Sequence, residues 1–255
     1  MDKDLVSIIT PMYKGGDFVA ATIRSVLAQN YHNWEMIIVD DCSPDDGKGI
    51  SEVKKFAGDS RIKLIESKEN KGSSGARNIA LKNAKGRFIA FLDADDLWHP
   101  NFLDNQLKFM EKMNAPMVFS SYNRVDEVTL ETILSPFIVP EKVSYKSLLK
   151  TCPIFPSTAI YDTLKIPKSY FNEELGSMRD DYVYWLDMFK NFDFGYGNKE
   201  ILVDYRMRKT SVTGDKKKVI KPQWNVYYKV EKLGLLRSLY YLFCWAYISY
   251  HKYKN

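Results

Sequence analysis

Along the first hundred residues the hydrophobic pattern alternates between two periods. Val6–Thr10 is a short apolar run that predicts a buried strand. From Phe18 to Gln29 the apolar positions Val19, Ile23, Val26 and Leu27 recur at helical spacing. Residues 35–40, EMIIVD, form a second buried run that ends in acids. Residues 47–57 then predict a helix, Ile62–Ile65 a third strand, Ser73–Asn83 a helix and Arg87–Leu92 a fourth strand. Such alternation implies an α/β fold: a mostly parallel, doubly wound central sheet in a three-layer α/β/α arrangement.

Beyond Pro100 a helix is expected to about Met113, then a strand over Met117–Ser121 with a polar continuation to Leu130. Residues 131–157, with prolines at 136, 140, 153 and 156, read as irregular. Asp180–Phe189 predicts a helix whose Trp185, Leu186 and Phe189 belong to the core, and Ile201–Met207 a strand. The last segment differs. Trp224–Tyr253 holds ten aromatic residues, and Leu239–Tyr250 is nearly free of charge but shorter than the roughly 20 residues a spanning helix needs.

Charge changes the picture of that segment. Residues 209–255 carry ten Lys/Arg against two acids, a net +8, on a body of net −3. A basic, aromatic helix of this kind fits the interface plane of an anionic membrane; the competing reading docks it on the body. The three cysteines are scattered and odd in number, which argues for a reducing compartment rather than a disulfide framework. Cys42 reads as a small loop residue. Three histidines without ligand spacing argue against zinc. The amino terminus, MDKDLVSIIT, predicts no secretory leader.

The candidate chemistry begins at GRFIAFLDADDLWHP, where an apolar run stops at Asp93, Asp95 and Asp96. In open α/β sheets ligands bind beyond the carboxyl ends of strands. Asp93 and Asp95 would there share one hard divalent cation with a diphosphate. Alternatively the acids cap the next helix. A third reading is the Asp-x-Asp-x-Thr/Val nucleophile loop of haloacid-dehalogenase-like phosphatases, but the last position here is Leu97. Two further acidic pairs, Asp40-Asp41 and Asp180-Asp181, stand at other predicted element ends.

The opening VSIITPMYKGGDFVAATIRSVLAQNYHNWEMIIVDDCSPDDG resembles family 2 nucleotide-sugar glycosyltransferases, which have the GT-A fold. ENKGSSGARNIALKNAKGRFIAFLDADD, MRDDYVYWLDM and YRMRKTSVTGDKK continue the likeness in order over roughly residues 5–215. The resemblance implies a GT-A catalytic domain over 1–215, with a donor-nucleotide half to about residue 100 and an acceptor half beyond it. A helical tail follows over 216–255.

It further implies Thr10 and Asp41 at a uracil base, Asp40 ordering the adjacent loop, and Arg77 offsetting donor phosphate charge. Asp93 would face ribose or metal-bound water, Asp95 would ligate Mg²⁺ or Mn²⁺, and Asp181 would be the general base. Asp96 and Asp180 remain as helix caps. Relatives often carry His where this chain has Arg208; Arg206 and Arg208 share a strand face, so Arg208 is expected to help neutralise the diphosphate. The expected activity is inverting transfer from a UDP-sugar to a saccharide or lipid-linked saccharide. It would take place in the cytoplasm, peripherally on the inner membrane face. A non-catalytic sugar-nucleotide binder is the third class, and no motif supports nucleic-acid binding.

Overall fold

The computed structural model describes residues 4–175, 179–208 and 216–252. The first half runs β1 (Val6–Met12), α1 (Val19–Leu27), β2 (Trp34–Asp40), α2 (Lys48–Lys54), β3 (Ile62–Glu66), α3 (Gly72–Asn83) and β4 (Phe88–Phe91). A two-residue β5 (Leu97–Trp98) and α4 (Phe102–Lys112) lead into β6 (Met117–Asp126), β7 (Thr132–Phe137), β8 (Lys142–Val143) and α5 (Tyr145–Leu148). β9 (Ala159–Asp162), α6 (Asp180–Met188), β10 (Gly195–Met207), α7 (Lys216–Asn225) and α8 (Leu235–Lys252) complete the chain.

The sheet order is β3-β2-β1-β4-β9-β6-β10-β5, with β7 on β6 and β8 on β10. β3, β2, β1 and β4 pair in parallel, as do β6 and β10; β9 lies antiparallel between β4 and β6. β1 and β2 are buried on nearly every residue because helices cover both faces, which explains their unbroken apolar runs. Their side chains still alternate between two cores. Ile9, Ile37, Val39 and Phe91 join α3 and α6 on one face, and Ile8, Met36, Ile38 and Leu92 join α1 and α4 on the other. Trp185, Leu186 and Phe189 lie in the first of these cores, as expected.

The segment expected to be irregular, 131–157, contains β7, β8 and α5. β7 escaped the pattern because nearly every residue is exposed and Pro136 interrupts it; both are tolerated in an edge strand held by its partner β6. β10 begins six residues earlier than expected, at Gly195. Gly197 has a packing reason: a Cβ there would stand 2.1 Å from the Pro140 carbonyl oxygen. The carboxyl-terminal elements pack on the body through Val226, Tyr227, Tyr241 and Leu242, and the Tyr227 hydroxyl donates to the Leu149 carbonyl at 2.7 Å. Among the described residues no helix is long and apolar enough to cross a membrane.

Candidate active site

Because β2, β1 and β4 are parallel neighbours, their carboxyl ends share one sheet edge. Met12 pairs with Asp40, and the Leu92 N–H donates to the Ile9 carbonyl. Asp40-Asp41 and the Asp93–Asp96 loop therefore stand at the same rim, with the fully buried Thr10 two residues inside the end of β1. β10 runs in the same direction and brings Arg206 and Arg208 to that edge from the far side.

At the β1/β2 end, Asp40 orders the loop. Its carboxylate accepts from the Ser43 hydroxyl at 2.6 Å and the Ser43 N–H at 3.1 Å. Cys42 follows with a positive φ of 55° and is exposed. Asp41 Oδ1 accepts from the Lys71 N–H at 2.8 Å, tying β2 to the start of α3. Burial pushes the Asp41 carboxyl above the usual carboxylate range, against that hydrogen bond. The buried Thr10 hydroxyl has no partner among the described residues. A buried hydroxyl without a protein partner is available to a polar ligand group.

The three acids after β4 separate by environment. Asp93 Oδ1 accepts from Arg77 Nη2 at 2.7 Å, and Asp95 Oδ2 from Arg208 Nη1 at 3.3 Å. Burial, and then repulsion from Asp93, raise the Asp95 pKa. Asp96 is no helix cap: α4 starts at Phe102, with Asn101 before it and no side-chain cap. The fully buried Asp96 instead accepts from the Ser157 hydroxyl at 2.5 Å and from the Arg206 N–H at 3.2 Å. Ser157 also takes the Asp93 N–H, and its carbonyl accepts from Trp98 Nε1 at 2.7 Å. This hub carries no motif, and nothing in the sequence marks it.

Asp180 is no cap either; Arg179 precedes α6 without a side-chain cap. Asp180 Oδ2 accepts from Ser73 Oγ at 2.7 Å, Ser74 Oγ at 3.0 Å and Arg77 Nη1 at 3.3 Å. Residues 73, 74 and 77 share one face of α3, so helical spacing assembles this cradle. Asn78, on the next position of the same helix, exchanges hydrogen bonds with the Phe171 backbone and reaches Glu173 Oε1. Arg77 thus bridges Asp93 and Asp180. Burial by itself disfavours its charge, but the two carboxylates more than offset this and hold its pKa above the ordinary guanidinium value. Asp181 lies beside Asp180 at the first turn of α6; burial and then the Asp180 charge raise its pKa.

Arg206 and Arg208 both lie over the Phe18 ring, at 5.3 and 5.1 Å. Their shared face is the one that strand periodicity requires. Arg206 Nε and Nη1 and Arg208 Nε are buried without a partner among the described residues. Unsatisfied guanidinium donors beside two aspartates suit an anion together with a cation. Among the described residues no three His, Cys, Asp or Glu gather around one metal position. Asp93 and Asp95 are hard carboxylates of the type that would hold Mg²⁺ or Mn²⁺.

The family model described as "Glycosyl transferase family 2" matches residues 7–164. The chain belongs to that family. This glycosyl transferase family 2 member is 38% identical, over all of its own length and 99% of the relative, to Escherichia coli "UDP-Glc:alpha-D-GlcNAc-diphosphoundecaprenol beta-1,3-glucosyltransferase WfgD". It is 36% identical, over 98% of its length and 96% of the relative, to the "Putative teichuronic acid biosynthesis glycosyltransferase TuaG" of Bacillus subtilis. It is a glycosyltransferase, and its fold is GT-A. In the structure of S. aureus TarS 1-349 with UDP, the superposition gives a TM-score of 0.68 at 22% identity. That match covers 88% of this chain and 65% of TarS 1-349. The Pyrobaculum calidifontis mannosyltransferase PcManGT, solved with GDP-Man and Mn²⁺, gives 0.66 at 17% identity, over 96% of this chain and 73% of that one. Family membership removes the phosphatase reading that Leu97 had already weakened.

Proposed function

We propose that this glycosyltransferase moves a sugar from a UDP-sugar to a hydroxyl of a lipid-linked saccharide, with inversion and with a divalent metal. The observation that carries the reading is the Arg77 bridge. One buried guanidinium joins Asp93, on the donor edge, to Asp180, beside Asp181 at the start of α6. Its place between two carboxylates means that Arg77 offsets their charge as well as that of a phosphate. The relatives' names add donor and acceptor classes: UDP-Glc and a GlcNAc-diphosphoundecaprenol for WfgD.

In this reading Thr10 and Asp41 hold the uracil edge, with Asp41 accepting the imide N–H. Asp93 and Asp95 hold the metal, which supplies Lewis-acid stabilisation to the leaving diphosphate. Arg208 leaves Asp95 for the diphosphate and takes up part of its charge. Asp181 accepts the proton of the acceptor hydroxyl as that oxygen attacks the anomeric carbon. A carboxyl with a raised pKa is better matched to that transfer than an ordinary aspartate. One displacement at an α-linked donor gives a β-linked product, the linkage named for WfgD. Residues 1–215 form the catalytic unit. The basic tail rests on the inner face of the membrane, where a lipid-linked acceptor is available.

Incubation with a panel of UDP-sugars, with and without chelator and with a polyprenyl-diphosphate-linked GlcNAc, tests the reading through UDP release. Metal-dependent release that requires the acceptor supports it. No release from any donor would overturn it.

A further inference from the structure

Outside the carboxylate clusters the molecule has a groove of about 460 Å³ where α5 meets the start of α8. Leu149, Leu233 and Tyr241 form its more buried lining, and the exposed Leu236 and Tyr240 continue it outward. Lys146 and Arg237 are the two cations that line it. Neither makes a salt bridge among the described residues. Glu231, which accepts from the hydroxyl of the lining residue Tyr145 at 2.6 Å, has its side chain 1% exposed and is also paired with Lys190 at 3.0 Å. The groove is therefore apolar inside and uncompensated in positive charge.

α8 also carries more apolar surface than docking requires. Tyr241 and Leu242 face the core, and Ser238 is buried. Leu236, Tyr240, Phe243 and Tyr247 form a second stripe at i, i+4, i+7 and i+11, and each is 54% exposed or more. That stripe begins at the groove. A hydrocarbon-lined trough with two cations that form no salt bridge among the described residues, continuous with an exposed aromatic stripe, complements an amphiphile with an anionic head. α5 is a fixed wall of it. Ser144 and Ser147 cap this short helix reciprocally, Ser147 N–H to Ser144 Oγ at 3.3 Å and Ser144 N–H to Ser147 Oγ at 2.8 Å.

We infer that the α5–α8 groove binds an anionic phospholipid, its phosphate at Lys146 and Arg237 and its acyl chain along Leu149, Leu233, Leu236 and Tyr240. The membrane contact is then a composite of catalytic body and tail, rather than a basic helix acting alone. This rests on the peripheral-membrane part of the proposed function and sharpens it. It also sets an orientation, because α8 runs past the base-bearing helix: the Arg179 guanidinium, one residue before Asp180, lies 5.3 Å from the Trp245 ring centroid.

The test is sedimentation of the full chain with phosphatidylcholine vesicles, with and without phosphatidylglycerol. Lys146→Glu, on α5 and outside the tail, should lower partition to the anionic vesicles about tenfold, as should Arg237→Glu. Leu236→Ser should weaken it further. Lys112→Glu, on α4 across the sheet, should leave binding within about twofold of wild type. Three outcomes overturn the inference. Lys146→Glu may bind as wild type does, or Lys112→Glu may lose as much as Lys146→Glu. The third is a lipid-independent dimer, seen by sedimentation velocity, that Leu236→Ser dissolves. UDP release in detergent, measured on the same Lys146→Glu protein, separates the two readings. Normal release with unaltered vesicle binding refutes only the lipid site, whereas vesicle binding without release in any variant refutes only the transferase assignment.

Discussion

Arg208 reaches from the end of β10 to the loop after β4 and sets its Nη1 3.3 Å from Asp95 Oδ2. The pair neutralises one carboxylate of a mutually repelling set and leaves Arg208 Nε unpartnered among the described residues. In the proposed reading Arg208 is a counter-charge for the donor diphosphate. Arg208→Ala is expected to lower kcat/KM for the UDP-sugar about tenfold, roughly 1.4 kcal/mol of transition-state stabilisation. Steady-state UDP release measures it, and unchanged KM and kcat would remove Arg208 from the mechanism.

Asp181→Asn keeps the shape of the α6 start and removes the proposed proton acceptor. The expected loss is about 10²–10⁴ in kcat. UDP affinity by calorimetry should stay at the wild-type value if Asp181 acts, as proposed, on the acceptor rather than the donor. A variant that loses UDP binding in parallel would point to collapse of the edge rather than loss of a base.

The pH profile carries a signed expectation. As the proposed base, Asp181 would have to be ionised to accept a proton, and burial together with Asp180 raises its pKa. Activity should therefore rise with pH through an acid limb that lies above the ordinary aspartate range. Asp180→Asn removes the repelling charge and should move that limb to lower pH. A limb that stays in place in Asp180→Asn assigns it to another group.

His99 Nε2 and Asp204 Oδ1, 3.1 Å apart, join the loop after β5 to β10. The hydrogen bond to Asp204 raises the His99 pKa above 6.5. For a raised group, the stabilisation is fully present below the unfolded pKa and is lost as pH rises through the folded one. Wild type should thus exceed His99→Gln in Tm below about pH 6.5, and the two should converge at alkaline pH. A pH-independent gap would mean that packing, not charge, accounts for the difference.

Phe91 sits at the centre of an aromatic group, with ring centroids 5.6–5.8 Å from Phe171, Tyr184 and Trp185. Two of those rings belong to α6. Phe91→Ala is expected to cost about 3–5 kcal/mol in urea unfolding. Because the cavity opens behind α6, which carries the proposed base, kcat should fall by more than donor affinity. Equal losses in both would show that α6 holds its place without this packing.

How much of this was legible in the chain depends on the range of the forces involved. Local pattern marked β1, β2 and β4 as unbroken apolar runs and α1 and α4 by apolar positions at helical spacing. The acids at strand ends were visible for the same reason, and the order of the acidic pairs carried the family likeness. β9 was not legible. Its apolar run, Ala159–Tyr161, is only three residues long before Asp162, and only pairing with β4 and β6 makes the segment a strand. β7 was hidden by the opposite fault, an exposed edge with no apolar face.

The roles of Asp96 and Asp180 were likewise beyond sequence reading. Each stands where a helix cap is plausible, and a cap is a local bond. Their actual partners are distant: Ser157 is 61 positions from Asp96, and Ser73 is 107 from Asp180. The sequence by itself determined the alternating elements, the sheet edge that collects the carboxylates, and the family. The tertiary structure alone decided which carboxylate meets which arginine or serine. It decided too that Arg77 joins two acidic clusters, and that α5 and α8 enclose a groove. Hydrophobic periodicity is written into neighbouring residues, whereas a buried ion pair exists only where folding brings two remote charges out of water together.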